Sequence, residues 1–255
     1  PEDCSLLIIN APASDFASDG LVDEISQLQA YLENGGKVLL TTSAFVDTPN
    51  LDAVMAQFGL AREPGLVVEG DAGHALYGYP YSLFPDYSTT EESTALNGVN
   101  KGSHVMLSVA QGITVTETDG VAAEPLLNTS EDSYSKADLD ENTSSEKDSG
   151  DVDGPFSLAV WARNDSTGAE VIWIGCPNMD NEQLYQSVPG NLTFLQGCAA
   201  SMVGQEILID TKALEAEPIT VAASSAMTLG MVFVFLLPAA VLIAGAAVVL
   251  LRRRR

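Results

Sequence analysis

Three short apolar runs, separated by two segments of helical period, open the chain. Ser5–Asn10 (SLLIIN) is uncharged and largely apolar, as a strand buried on both faces should be. Leu21, Ile25, Leu28 and Leu32 then recur at helical spacing. Ser18 is placed to cap this helix, Asp19, Asp23 and Glu24 suit the positive end of its dipole, and Gly35-Gly36 stops it. Lys37–Thr42 (KVLLTT) predicts a second buried strand. Thr48-Pro49 predicts the start of a second helix, with Leu51, Val54, Met55 and Phe58 facing inward and Gly59 at its end. Gly65–Glu69 (GLVVE) reads as a third strand. This alternation predicts an α/β fold built on an open, mainly parallel sheet.

The middle of the chain is less regular. Residues 70–103 are rich in Gly, Pro, Tyr, Ser and Thr and read as loop. Val105–Ser108, Glu124–Thr129, Phe156–Arg163 and Glu170–Gly175 read as strands. Residues 130–154 hold nine acids and two lysines with almost nothing apolar, which predicts a disordered acidic insertion. Gly190–Val203 reads as a helix capped by Asn191, with Leu192, Leu195, Ala199 and Met202 inward. Residues 1–204 thus form one α/β domain, and 205–226 a linker.

Residues 227–251 contain no charge in 25 positions, and 14 of these are Leu, Ile, Val or Phe. As a helix the run would measure roughly 37 Å against about 30 Å of hydrocarbon. It reads as a single transmembrane helix, kinked at Pro238. Arg252, Arg253, Arg254 and Arg255 follow as a stop and as a cytoplasmic address, which sets the main domain on the extracytoplasmic side of a cell membrane. The chain opens at Pro1 with neither Met nor signal peptide, and reads as a fragment or processed product.

Charge narrows the choice of partners. There are 35 acidic and 11 basic residues, a net of −24, and four of the bases are the terminal arginines. The first 251 residues therefore hold only seven cations. Such a surface repels phosphates, so no nucleic-acid partner is expected. Cys4, Cys176 and Cys198 are odd in number and widely spaced, which suits structural thiols better than a metal site or a disulfide framework.

The motifs of several enzyme classes are missing. No phosphate-cradling G-x-x-x-x-G-K-[ST] or G-x-G-x-x-G occurs, and Pro12 removes an amide from the turn after the first strand. Cys176 ends a strand, but Pro177 follows where a nucleophile elbow needs other residues. Asp138-x-Asp140-x-Asn142 begins like a calcium loop, yet Thr143 and Ser149 stand where Gly and Glu are required. Sequons lie at Asn128, Asn142, Asn164 and Asn191. No catalytic residue, cofactor or metal is expected. A ligand, if one binds, should sit at the carboxyl ends of the strands, near Asn10, Asp15, Thr42, Ser43 and Asn178.

LLIINAP at 6–12, YLENGGKVLL at 31–40, NLDAVMAQFGL at 50–60, LLNTSEDSYS at 126–135, DGPFSLAVWA at 153–162, VIWIG at 171–175 and GNLTFLQGCAASMVG at 190–204 follow one another in a telling order. With the C-terminal span and arginine tail, this series resembles the GldG-like family, the gliding-motility type of auxiliary membrane subunits of ABC transporters. The resemblance covers nearly the whole chain. It implies a flavodoxin-like or glutamine-amidotransferase-like domain without catalytic apparatus, working beside an ABC permease and ATPase. Where the family often has an acidic Gly-Asp-Ser turn after its last strand, this chain has Gly175-Cys176-Pro177-Asn178. The expected function is that of a non-enzymatic transport subunit. The alternatives are a membrane-anchored ligand-binding or sensory domain and, third, an amidotransferase-like enzyme.

Overall fold

The computed structural model describes residues 3–20, 22–88, 103–137, 145–179, 181, 188–204 and 230–253. In chain order the elements are β1 (Leu7–Asn10), α1 (Glu24–Glu33), β2 (Lys37–Thr41), α2 (Pro49–Ala56), β3 (Leu60–Arg62), β4 (Leu66–Val68), β5 (Ala75–Leu76), β6 (Tyr79–Leu83), β7 (Asp86–Tyr87), β8 (Leu107–Ser108), β9 (Ile113–Val115), β10 (Val121–Asn128), β11 (Tyr134–Lys136), β12 (Val152–Asp153), β13 (Ser157–Asn164), β14 (Glu170–Ile174), α3 (Gly190–Val203) and α4 (Leu237–Arg253).

The principal sheet runs β1-β2-β14-β13-β10-β7, with β9 joined to β13 and β3 to β9. Only β1, β2 and β14 are parallel, with Leu7 opposite Val38 and Glu170 opposite Lys37. The expected mainly parallel sheet is therefore a mixed one. The cause is local. Asn164 Oδ1 accepts from the amides of Ser166 and Thr167, which tightens the connection between β13 and β14 into a turn. A link that short can only join antiparallel strands. β10 then adds antiparallel to β13. The third run of the opening rhythm, β4, leaves this sheet altogether and pairs with β11.

Side chains alternate across the central strands. Val38, Leu40, Val171 and Trp173 pack with Ile25, Leu28, Leu32, Leu51, Val54 and Met55 of α1 and α2. Leu39, Ile172 and Ile174 pack on the other face with Phe194, Cys198 and Met202 of α3. Both faces are covered, which is why these strands read as continuous apolar runs.

The helix boundaries differ from the sequence expectation in informative ways. α1 is capped by Asp23, whose carboxylate accepts from Ser26 N at 2.8 Å, not by Ser18. It ends at Gly35, whose φ is +79°. In α3 the inward row is Phe194–Cys198–Met202, and Leu192 is exposed. That helix is apolar nearly all round, so periodicity left its phase open.

The acidic stretch 130–154, expected to be disordered, holds regular structure among its described residues, 130–137 and 145–154. β11 lies between β4 and β12, with Ser133, Tyr134, Ser135 and Lys136 buried. The two lysines organise the acids around them. Lys136 Nζ, only 2% exposed, reaches Asp148 and Asp151 at 2.9 Å and the Glu146 carbonyl at 2.7 Å. Lys147 pairs with Asp153. Both ammonium groups stand over the Tyr134 ring, at 5.8 and 5.7 Å from its centroid. Replacing Lys136 by Met should release residues 145–153. Trypsin cleavage after Lys147 in the native chain is then expected to quicken by about an order of magnitude, and an unchanged rate would show that Lys136 does not hold the segment.

At the C-terminus helical turns continue without a break from Gly230 to Arg253, but Val232–Leu236 is wound as a π-helix. Pro238 supplies the reason. It has no N–H for the Val234 carbonyl, and the Leu237 amide bonds one residue further back, to Val232. α4 itself has 17 residues, and no helix among the described residues is long and apolar enough to cross a membrane. The expected span at 227–251 starts outside the described residues, as does the whole linker 205–226. Every large apolar side chain from Met231 to Ile243, ten in all, is between 40 and 74% exposed. Arg252 and Arg253 are exposed, and Arg254 and Arg255 lie outside the described residues.

Candidate functional site

The carboxyl ends of β1, β2 and β14 bring the five sequence-chosen residues to one end of the sheet, but four of them serve the scaffold or stand apart. Asp15 caps α2 from a distant loop: its carboxylate accepts from the amides of Asn50 at 2.9 Å and Leu51 at 3.3 Å. Thr48, the residue at the cap position, makes no side-chain cap bond. Thr42 is buried and accepts from the Trp173 indole N–H at 2.9 Å. Ser43 offers its carbonyl to Arg62 Nη1 at 3.0 Å and its Oγ to the Phe45 amide at 3.2 Å. Asn178 is exposed, and its carbonyl accepts from Asn181 N.

Arg62 is the residue that sequence reasoning missed. Its Nε bonds Asp52 at 2.9 Å. Nη1 reaches the Ser43 and Val46 carbonyls and Gln111 Oε1, Nη2 reaches Thr48, and the guanidinium stands 5.7 Å from the Trp173 ring centroid. One side chain thus knits the 43–48 loop to β3, α2 and β14. Its scarcity was the available signal, since it is one of only seven cations ahead of the arginine tail.

A groove of about 320 Å³ lies between β1–β2 and α3, lined by Ile8, Asn10, Leu39, Thr41, Leu195, Gln196 and Ala199. Asn10 alone of the five expected residues lines it. Thr41 Oγ1 donates to Asn10 Oδ1 at 2.7 Å and accepts from the Ala11 amide at 2.9 Å. The floor is aliphatic and one end carries amide and hydroxyl groups. Such a groove suits a small apolar ligand with one hydrogen-bonding end and offers no acid, base or nucleophile. A larger cavity, about 860 Å³, opens at the other end of the strands beside Cys4, Tyr31, Gly36, Lys37 and Met202. Its one cation, Lys37, is already engaged by Glu170 at 3.4 Å and by the Met202 carbonyl.

Nucleophiles and metal ligands fare similarly. Cys176 is buried with its thiol toward the Ser108 carbonyl. Cys198 is buried on the inner face of α3, where desolvation pushes its thiol pKa well up, so no thiolate forms there at neutral pH. No cluster of His, Cys, Asp and Glu among the described residues is arranged to hold a metal. Of the sequons, Asn191 is fully buried, Asn128 accepts from Ser157 Oγ, Asn164 forms the β13–β14 turn, and Asn142 lies outside the described residues. The buried Asn191 is no acceptor in the folded chain.

His74 stands between two carboxylates. Nδ1 lies 2.7 Å from Asp71 and Nε2 3.1 Å from Asp86. Burial opposes charging the ring, but the Asp71 hydrogen bond and the charges of Asp86 and Asp71 outweigh it, and the imidazole pKa is raised. Because the folded value lies above the unfolded one, the protonated ring stabilises the native state. That contribution is complete below about pH 6.5 and disappears as pH climbs through the raised folded value. The advantage of wild type over His74→Gln is therefore expected to be larger at about pH 5.5 than at about pH 8; equal differences in unfolding midpoint at the two pH values would contradict it.

No family model matches the chain, and no curated protein does. Among solved structures the mmIFT52 N-terminal domain superposes with a TM-score of 0.54 at 14% identity, over 80% of this chain and 79% of that one. A ThuA-like protein from Bacteroides uniformis gives a TM-score of 0.35 at 14% identity, over 78% of this chain and 69% of that one. The likeness to the mmIFT52 domain is one of fold.

Proposed function

We propose that this chain is a non-enzymatic, membrane-anchored auxiliary subunit of an ABC-type transport system, of the GldG-like kind, whose acidic α/β domain meets a permease outside the cytoplasm. The observation that carries the reading is the exposure of the large apolar side chains from Met231 to Ile243. Ten large side chains left in water forgo roughly 1.5–3 kcal/mol each. The domain beside them already has a closed core on both faces of its sheet, so their burial belongs to a lipid or protein environment. The exposed Arg252 and Arg253 at the end of the run suit a cytoplasmic terminus. The π turn ahead of Pro238 is the kind of adjustment that membrane helices tolerate.

A non-enzymatic role is supported by the scaffold contacts that engage Arg62, Thr42 and Trp173 at the strand ends and by the burial of Cys176. The antiparallel half of the sheet favours the glutamine-amidotransferase-like variant of the fold over an all-parallel flavodoxin-like one. Isolation of the full chain in mild detergent after cross-linking is expected to recover a multi-span permease and an ATPase, and recovery of the chain alone would overturn the proposal. The 320 Å³ groove favours a second reading, a ligand-binding or sensory domain. It predicts a small molecule that raises the Tm of wild type but not of a groove-filling Leu195→Trp variant.

A further inference from the structure

We infer that the tip of the β5–β6 hairpin is a docking site for a basic polypeptide segment, one that presents arginine or lysine side chains to Tyr77 and Tyr79. The chain reverses over Tyr77-Gly78, with Leu76 paired to Tyr79 and φ of +78° at Gly78. The two tyrosines stand 54 and 65% exposed. Their mount is rigid. The Pro80 carbonyl accepts from Glu69 N at 3.0 Å, the Tyr81 carbonyl from Val109 N at 2.9 Å, and Ser82 and Leu83 pair with β8. Two exposed aromatic rings on a fixed hairpin lose little conformational entropy when a partner covers them.

Charge selects the partner. The chain carries a net charge of −24, and Asp86, Asp148 and Asp153, although engaged by His74, Lys136 and Lys147, keep 72 to 75% of their side chains exposed. The molecule holds its own precedent for what such a surface binds. On Tyr134 two lysines lie over one ring while aspartates grip their nitrogens. Tyr77 and Tyr79 offer the same ring chemistry on a chain of strongly negative net charge. A second copy of the chain is poorly supplied to fill the site. Of the seven cations before the arginine tail, Lys37, Arg62, Lys136 and Lys147 are already ion-paired. The occupant is therefore another protein, an assignment that rests on the membrane reading above, which keeps the arginine tail of a second copy on the far side of the bilayer.

The test uses the full chain in a neutral detergent with a labelled peptide of alternating glycine and arginine, at physiological salt. Tyr77→Ser/Tyr79→Ser leaves the charge unchanged and removes both rings, so affinity should fall about five- to thirtyfold. Tyr77→Phe/Tyr79→Phe should restore it, and Phe45→Ser, which removes an exposed ring elsewhere, should leave it intact. Fluorescence of the two buried tryptophans verifies the fold of each variant. Equal affinity of wild type and the serine variant would overturn the site. Equal binding of a glycine–glutamate or proline-rich peptide would overturn the partner's chemistry. Self-association that vanishes in the serine variant would overturn the choice of an outside partner.

Discussion

Replacing Arg62 by Met is expected to lower the unfolding free energy by about 3 kcal/mol, and with it the Tm by roughly 6–12 °C for a domain of this size. Methionine keeps most of the apolar stem against Trp173 but removes every donor. The carbonyls of Ser43 and Val46, Gln111 Oε1 and the Asp52 carboxylate then lose their common partner. Breaking a buried ion pair from one side costs about 3–5 kcal/mol. The lower end applies here because Asp52 is about a third exposed and water can reach it. Arg62→Lys should recover only part of the loss, since a point charge satisfies Asp52 but not the fork of carbonyls and the indole face. Unfolding of the solubilised chain, followed through Trp161 and Trp173, measures both variants. A loss for Arg62→Met within about 0.5 kcal/mol, the range of an ordinary surface substitution, would mean that the guanidinium does not hold the loop.

The same residue explains what could be read from the chain and what could not. β1, α1, β2 and α2 were legible because each is a short, strongly patterned segment whose apolar period alone gives its type. Leu28, Leu32, Leu51 and Met55 stand where their periodicity put them. The strand-end location was legible too, because fold geometry gathers Asn10, Thr42, Ser43 and Asn178 there whatever their roles. Their roles were not. Whether Thr42 faces a ligand or the Trp173 indole depends on a contact across 131 positions, and whether Asp15 lines a crevice or caps α2 depends on one across 35. No window of sequence carries either. The strand direction of β13 and β14 was set by the Asn164 turn, a signal present in Asn-Asp-Ser-Thr-Gly that the rhythm of apolar runs overshadowed.

The acidic stretch makes the complementary point. Composition alone argued for disorder, because nine acids have little to bury. It overlooked that two lysines at the right spacing turn repulsion into a network, with Tyr134 as its floor. Aromatic and basic residues are so scarce in this chain that each one placed inside an acidic segment carries unusual weight, and the same reasoning directs attention to the exposed Tyr77 and Tyr79.

Asn191→Leu is expected to cost about 3–4 kcal/mol, because two buried backbone groups lose their only described partner, at about 1–3 kcal/mol each. Asn191 Oδ1 accepts from Met106 N and its Nδ2 donates to Met106 O, both at 2.8 Å, so the amide acts as a strand partner for one residue. Gly190 allows the approach, since a Cβ there would meet the His104 carbonyl at 2.0 Å. The side chain expected to cap α3 instead fastens its first turn to residues 103–106 while Pro189 occupies the cap position. Asn191→Asp separates lost hydrogen bonding from altered packing, because it preserves shape. A protonated aspartic acid restores both bonds, whereas the carboxylate faces the Met106 carbonyl with no proton to give. Burial raises the folded pKa of that acid above the unfolded value of about 3.9. The variant's deficit relative to wild type should therefore be smallest below about pH 4 and grow as pH rises toward the folded value. A deficit that is large and independent of pH would point to packing, and the reading of Asn191 as a hydrogen-bonding clamp would fall.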